Sequence, residues 1–195
     1  MKAVLLNSGG KDSLATAILL AQEGNDLHSF TVDMGQPEGA LGHPAAQKIA
    51  QKYCRSHHVL KVTSGPYLSP TTKLPEGWNY TTIPFKAIVM WSLGAMYAVT
   101  IGAEAVASGM RADIFPEDFA KIIEGMLALS VKVRDPLKVI VPLDGYKGRQ
   151  GELNDIVFNI IKYDPLWRET SYCNDDPACG VCYGCRVRAD WLSRV

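Results

Sequence analysis

The chain has 195 residues, 47% hydrophobic and 21% charged, with a formal net charge of zero. That length suits one domain with a substantial core, residues 1–195, of ordinary soluble composition. A balanced charge offers no general basic field for nucleic acid or an anionic membrane, which argues against both as partners.

The N-terminal apolar run is short, carries a single lysine and fits neither a signal peptide nor a membrane span. Its residues Ala3 to Leu6 read as a buried strand that breaks into Asn7-Ser8-Gly9-Gly10-Lys11-Asp12-Ser13. A helical pattern starts at once, with Leu14, Ala17, Ile18 and Ala21 on one face. A strand feeding a helix through glycines aims several backbone N–H groups and the positive helix end at one spot, which suits a polyphosphate. Ser8 and Ser13 add hydroxyls, Gly9 and Gly10 let the backbone approach, and Lys11 adds charge. Asp12 cannot bind phosphate directly, so it holds Mg²⁺ or fixes the loop. The bland alternative is a strand-to-helix turn with serine caps. The spacing is neither GxxxxGK(S/T) nor GxGxxG.

Gly24-Asn25-Asp26 ends the first helix, and Leu27 to Val32 reads as a second strand finishing at Asp33. Ligands of an open parallel sheet lie beyond the strand carboxyl ends, so Asp33 meets either a ribose or adenine edge or simply makes the turn before Gly35. Pro37 to Gly42 reads as a loop, and His43-Pro44 as the start of a helix with Ala46, Ile49, Ala50, Tyr53 and Cys54 inward. On that apolar face Cys54 is expected to be buried and inert. His57 and His58 are expected to cap the helix end before a third strand, Val59 to Val62. Residues 64–84, with Tyr67, Trp78 and Tyr80, suit an active-site loop or partner contact.

A long apolar helix is predicted from about Phe85 to Ile101, with Ile88, Val89, Leu93, Met96 and Val99 read as core. Ala105 to Ala107 makes a short buried strand ending at Ser108-Gly109-Met110. Pro116-Glu117-Asp118 begins another helix with Phe119, Ile122, Ile123 and Met126 inward. Val139 to Val141 is a further strand and Lys147 to Ile161 a further helix, with Leu153, Ile156, Val157 and Ile160 on its face. Strands alternating with helices give an α/β fold, a doubly wound parallel sheet of Rossmann-like type.

The tail carries Cys173, Cys179, Cys182 and Cys185 in the spacing C-x5-C-x2-C-x2-C. Four thiolates so spaced close a tetrahedral site, with zinc the expected ion and a structural role expected of it. An iron–sulfur cluster is the rival, and two disulfides do not suit a reducing compartment. The zinc-binding C-terminal segment is thus residues 170–195, and a cytoplasmic setting follows.

The SGGKDS element resembles the pyrophosphate loop (PP-loop) of N-type ATP pyrophosphatases. That likeness implies an adenine nucleotide alpha hydrolase-like fold and an enzyme that cleaves ATP between its α and β phosphates. It implies ATP at Asn7, Ser8, Gly9, Gly10, Lys11, Asp12, Ser13, Leu14 and Asp33, with Mg²⁺ beside them. The loop together with the four cysteines, followed by Arg186 and Arg188, is similar to the 7-cyano-7-deazaguanine synthase (QueC) family. Val32-Asp33-Met34-Gly35-Gln36 with His43 looks like that family's D-Y-G-Q-x-H segment, and Thr170-Ser171-Tyr172-Cys173 like its T-x-S-C-Y.

The resemblance implies an adenylating carbon–nitrogen ligase of the queuosine pathway, and a homodimer. ATP would activate the carboxylate of 7-carboxy-7-deazaguanine, ammonia would displace AMP, and a second activation would dehydrate the amide to the nitrile. Two departures bear on the substrate. Ile83-Pro84-Phe85-Lys86-Ala87 stands where the family has V-P-x-R-N, and Phe115-Pro116-Glu117-Asp118-Phe119 where it has Y-P-D-C-R. A lysine cannot reproduce a bidentate arginine. Catalytic roles therefore fall to Asp12, Lys11 and Lys86, and substrate contacts to His43, Lys86, Glu117 and Asp118.

The same pattern resembles the QueC-like enzymes of type IV CBASS anti-phage defence, which implies a protein N-terminal amine as acceptor. A tRNA-thiolating PP-loop enzyme would share loop and cysteines but need a basic RNA face and a second reactive cysteine. Phosphoadenosine-phosphosulfate reductases share the loop, yet need a histidine late in the chain, and none follows His58. A zinc-binding interaction module would leave the loop unexplained.

Overall fold

The computed structural model describes residues 1–35, 39–62, 86–111, 118–130, 137–146, 150–172 and 179–195. Five strands, β1 (Lys2–Leu6), β2 (Asp26–Asp33), β3 (Ser56–Lys61), β4 (Ala105–Ser108) and β5 (Lys138–Ile140), form one sheet in the order β3-β2-β1-β4-β5. Every pairing is parallel. The order reverses on either side of β1, so the crevice of a doubly wound sheet falls at its carboxyl end.

The pleat divides the core into two layers. Ala3, Leu5, Ala105 and Ala107 face α1 (Lys11–Gln22), α2 (Gly39–Tyr53), α5 (Gln150–Ile161) and α6 (Tyr183–Ser193). Val4, Leu6 and Val106 face α3 (Lys86–Ile101) and α4 (Phe119–Ser130). Alanines at alternate positions leave room for the α1 backbone, which brings Leu14, Ala17 and Ile18 onto the strands as expected. Phe158, Trp167 and Trp191 pack edge and face against one another and fasten the last helix to this layer.

Four expectations need correction. The second helix begins at Gly39 rather than at His43, so residues 39–42 are helical and Pro44 lies inside it. The exposed ring forfeits one i to i−4 bond early in the helix. His57 and His58 lie in β3, not at a helix end. His57 Nδ1 meets Ser29 Oγ at 2.9 Å, and His58 stacks beside Phe30 and Tyr97. On α3, Val89, Met96 and Val99 are exposed, because the sheet covers one side of a helix that is apolar all round. On α4, Ile123 is buried whereas Ile122 and Met126 are exposed. Residues 64–84 and 147–149, Pro116 and the Phe119 side chain lie outside what is described.

A buried carboxylate ties α2 to the chain beyond α5. Asp164 Oδ2 accepts from Lys52 Nζ at 2.8 Å and from the Tyr53 hydroxyl, while Oδ1 accepts from the Leu166 amide at 3.0 Å. Burial pushes the Asp164 carboxyl up, but these donors outweigh it and hold it below the ordinary carboxylate value. Stability from this contact is therefore complete above the unfolded carboxyl's value of 3.8 and is lost as pH falls through the lower folded one. We expect Asp164→Asn to cost about 1–3 kcal/mol at neutral pH. It should also remove part of the acid-side fall in Tm, measured by calorimetry from pH 7 to pH 3.

Candidate active site

β1 ends at Leu6, and the next residue organises the loop. Asn7 is 1% exposed. Its Oδ1 accepts from the Gly9 amide at 3.0 Å, and its Nδ2 donates to Ala46 O at 2.9 Å and Ser29 Oγ at 3.0 Å. A backbone amide can only donate and a carbonyl only accept, so these partners fix which way the Asn7 amide points. Its backbone is used as well: N–H goes to Phe30 O at 2.9 Å, and the carbonyl accepts from Thr31 Oγ1 at 2.7 Å. Ser29 Oγ, which accepts from Asn7, keeps its hydrogen and a second lone pair for His57 Nδ1, so the contact suits either neutral tautomer of the imidazole. Burial, then the neighbouring His43 and His58, push the His57 value down, in agreement.

The loop itself follows from two close approaches. Gly9 has φ +77°, and a Cβ there would lie 2.0 Å from Gly42 O. Gly42 in turn passes Ser8 O so closely that its own Cβ would sit 2.7 Å away. The loop is thus pressed against α2 backbone to backbone. Ser8 Oγ and Ser13 Oγ are 3.1 Å apart, and Ser13 Oγ accepts from the Ser8 amide at 3.2 Å. Lys11 Nζ lies 2.9 Å from Asp12 Oδ2, both part exposed. Ser8, Gly10, Lys11, Asp12 and Ser13 therefore meet at the amino end of α1. Leu14 lies behind them, fully buried, with its N–H donated to Gly10 O.

Asp33 and His43, distant in sequence, come together: Nδ1 of His43 is 3.9 Å from Asp33 Oδ2, whose other oxygen accepts from the Gly35 amide. His43 Nε2 is buried without a hydrogen-bond partner among the described residues. Lys86 is the half-buried first residue of α3. Asp118, before α4, is exposed and 3.0 Å from Lys121 Nζ. Glu117 and Cys173 lie outside the described residues. Cys54 is half buried, and burial pushes its thiol up to about 12, so it is unreactive as expected.

Cys179, Cys182 and Cys185 bring their sulfurs within 4.8 Å of one another, and Cys179 to Cys185 is 4.0 Å. Tetrahedral coordination with metal–sulfur bonds of 2.3 Å requires sulfur separations of about 3.8 Å, so the three thiols fit a metal. A disulfide is far shorter. The amides of Cys182 and Cys185 point at the sulfurs of Cys179 and Cys182, at 3.4 and 3.5 Å.

Sequence reasoning missed Arg111 and Asn154, and it named Gly109, Ser171, Tyr172 and Arg188 without placing them beside the loop. Arg111, after β4, is 3% exposed and places Nη1 3.6 Å from Asp12 Oδ1 and 2.8 Å from Asn154 Oδ1. Gly109 lies so near that a Cβ would sit 2.5 Å from the Asp12 carbonyl. The Ser171 amide donates to Gly9 O at 2.8 Å, which lays the tail along the loop. Gly184 packs on the Tyr172 carbonyl, 1.8 Å from a notional Cβ, and Arg188 covers the Tyr172 ring at 4.1 Å. The available signal was position: residues after a parallel strand's carboxyl end gather at the site.

A parallel sheet of this order with a glycine loop at its first strand defines a PP-loop-like α/β protein. The U34-tRNA thiolase NcsA from Methanococcus maripaludis, solved with its 4Fe–4S cluster, shares that fold, with a TM-score of 0.58 at 19% identity over 100% of this chain and 73% of its own. The chain belongs to the QueC family: the family model described as "Queuosine biosynthesis protein QueC" matches residues 2–195. It is similar to the 7-cyano-7-deazaguanine synthases of Rickettsia felis and Marinomonas sp., each 26% identical over 97% of this chain and 93% and 92% of theirs.

Two outcomes follow from the loop's geometry. Gly9→Ala places a methyl against a carbonyl at positive φ, and we expect it to cost about 2–4 kcal/mol in urea unfolding. Because burial makes the folded His57 take its proton less readily than an unfolded histidine at 6.5, the stability tied to keeping it neutral is complete above that pH. It should decline as pH falls below it, and His57→Asn, whose amide oxygen can replace Nδ1, should flatten that part of a Tm profile.

Proposed function

We propose that the protein is an ATP-dependent ligase that adenylates the carboxylate of 7-carboxy-7-deazaguanine and passes the acyl group to ammonia, then uses a second ATP to dehydrate the amide to the nitrile, releasing AMP and pyrophosphate at each activation. The observation that carries this reading is the glycine loop, held open-faced at the first strand end in a chain that matches the QueC family along its length. A carboxylate is a poor electrophile until its oxygen becomes a leaving group. The chain's part is to position reactants, neutralise phosphate charge and exclude water.

In this reading the first-turn amides of α1, the Ser8 and Ser13 hydroxyls and Lys11 hold the phosphates, and Asp12 holds Mg²⁺. Asp33 contacts the ribose or adenine edge. His43, whose Nε2 lacks a partner, lies beside Asp33 and suits a donor or acceptor on the substrate. Lys86 is the cationic candidate at the start of α3. Cys179, Cys182 and Cys185, with Cys173, would hold zinc, which when bound closes the tail structurally. The exposed Val89, Met96, Val99, Ile122 and Met126 on α3 and α4 support a homodimer, and the small-molecule chemistry suits the cytoplasm.

The altered residues about Lys86 and Asp118 favour a second reading of the acceptor alone: a protein N-terminal amine in an anti-phage system. Mass spectrometry of protein incubated with Mg-ATP, ammonia and 7-carboxy-7-deazaguanine separates the two. We expect the nitrile with AMP and pyrophosphate; adenylate or amide without nitrile would point to the protein acceptor, and no AMP would end the ligase reading. Asp12→Asn should lower pyrophosphate release by about 100-fold or more, with the circular dichroism spectrum unchanged.

A further inference from the structure

Three side chains join the cysteine-bearing segment to the glycine loop. Tyr183 lies between Cys182 and Cys185 and opens α6. Its oxygen accepts from Asn154 Nδ2 at 2.6 Å. Asn154 Oδ1 accepts from Arg111 Nη1 at 2.8 Å, and the same nitrogen stands 3.6 Å from Asp12 Oδ1. Asn154 is 4% exposed and Arg111 3%. We propose that Arg111 is a positioning residue that acts through Asp12, and that the cysteine segment sets its place through Tyr183 and Asn154.

A guanidinium has donors only, so the Asn154 oxygen must face it and the Asn154 nitrogen must face Tyr183. A buried amide held at both ends cannot rotate without leaving a polar atom unsatisfied. Asp12 meanwhile stands between two cations of different character. Lys11 is part exposed and on a flexible stem; Arg111 is buried and planar, so it fixes direction as well as charge. The strand end that carries Arg111 presses on the Asp12 backbone at Gly109, so the arginine and the carboxylate share one rigid support. A second tether runs parallel to the first: the Ser171 amide binds Gly9 O while Gly184 seats on the Tyr172 carbonyl. The cysteine segment thereby reaches the loop both through side chains and through backbone.

The consequence for nucleotide rests on the ligase reading; the mechanical link does not. Hydrogen exchange of the loop peptide, residues 7–14, tests the link without any ligand. In Tyr183→Phe and in Arg111→Lys we expect exchange there to speed by about 10-fold, with Tm within about 4 °C of the parent. Wild-type exchange in both variants overturns the proposal. Calorimetry with Mg-ATP tests the route: Arg111→Lys should weaken binding by about 5- to 20-fold in the parent and add nothing in an Asp12→Asn background. Equal weakening in both backgrounds would show that Arg111 does not act through Asp12, and overturns the proposal too. If the unaltered protein fails to bind Mg-ATP, the ligase reading falls, and the exchange result alone supports or overturns the link.

Discussion

The buried amide of Asn7 is the constraint on which the rest of this structure depends. At that residue the chain leaves β1 and must stop pairing with β2, yet its polar groups are already out of reach of water. Asn7 spends every one of them: backbone on Phe30 and Thr31, side chain on Gly9, Ala46 and Ser29. An unsatisfied group at this depth would cost about 1–3 kcal/mol, so the arrangement is all or nothing. The amide oxygen takes the N–H of Gly9 and thereby defines where the neighbouring loop amides point. A leucine here would leave the Gly9 amide without the acceptor it has now. The amino end of α1 is thus preorganised by a residue that itself faces away from solvent.

The sheet order follows from the alternation of apolar runs with helical faces, and residues 3–6 read as a strand because nothing in them could tolerate water. What alternation could not reveal was which side of each helix the sheet would cover. On α3 nearly every residue is apolar, so sequence periodicity has no phase to detect; Trp91 and Ala95 turn out buried, Met96 and Val99 exposed. His57 and His58 misled for another reason. Two histidines after a helix suit its dipole, but Ser29 and the stacked rings of Phe30 and Tyr97 reward them more as strand residues. Tertiary partners of that kind are invisible in a single sequence.

The site shows the same division. Glycine spacing made the loop legible because a positive φ and a backbone contact leave only one residue type usable at Gly9. Cysteine spacing made the thiol cluster legible because tetrahedral closure limits the intervening lengths. Asn154 and Arg111 carried no such mark: an asparagine within an amphipathic helix and an arginine after a strand are commonplace until the fold brings them together. The pairing of Asp33 with His43 lies between these cases, since strand-end position suggested the first and only the early start of α2 aims the second.

These features also bear on why a cysteine cluster belongs to this enzyme fold at all. A structural metal placed on a free tail would steady only that tail. Here the segment runs from Ser171, bonded to the loop at Gly9, through the cysteines, and back into the core at Trp191. Both ends are anchored before any metal is considered, so closing the thiols restricts the chain between two fixed points. Restricting that chain steadies Ser171, whose amide holds the loop at Gly9. The thiol cluster can thus contribute to the order of the glycine loop without touching it, through the entropy of the chain that connects them.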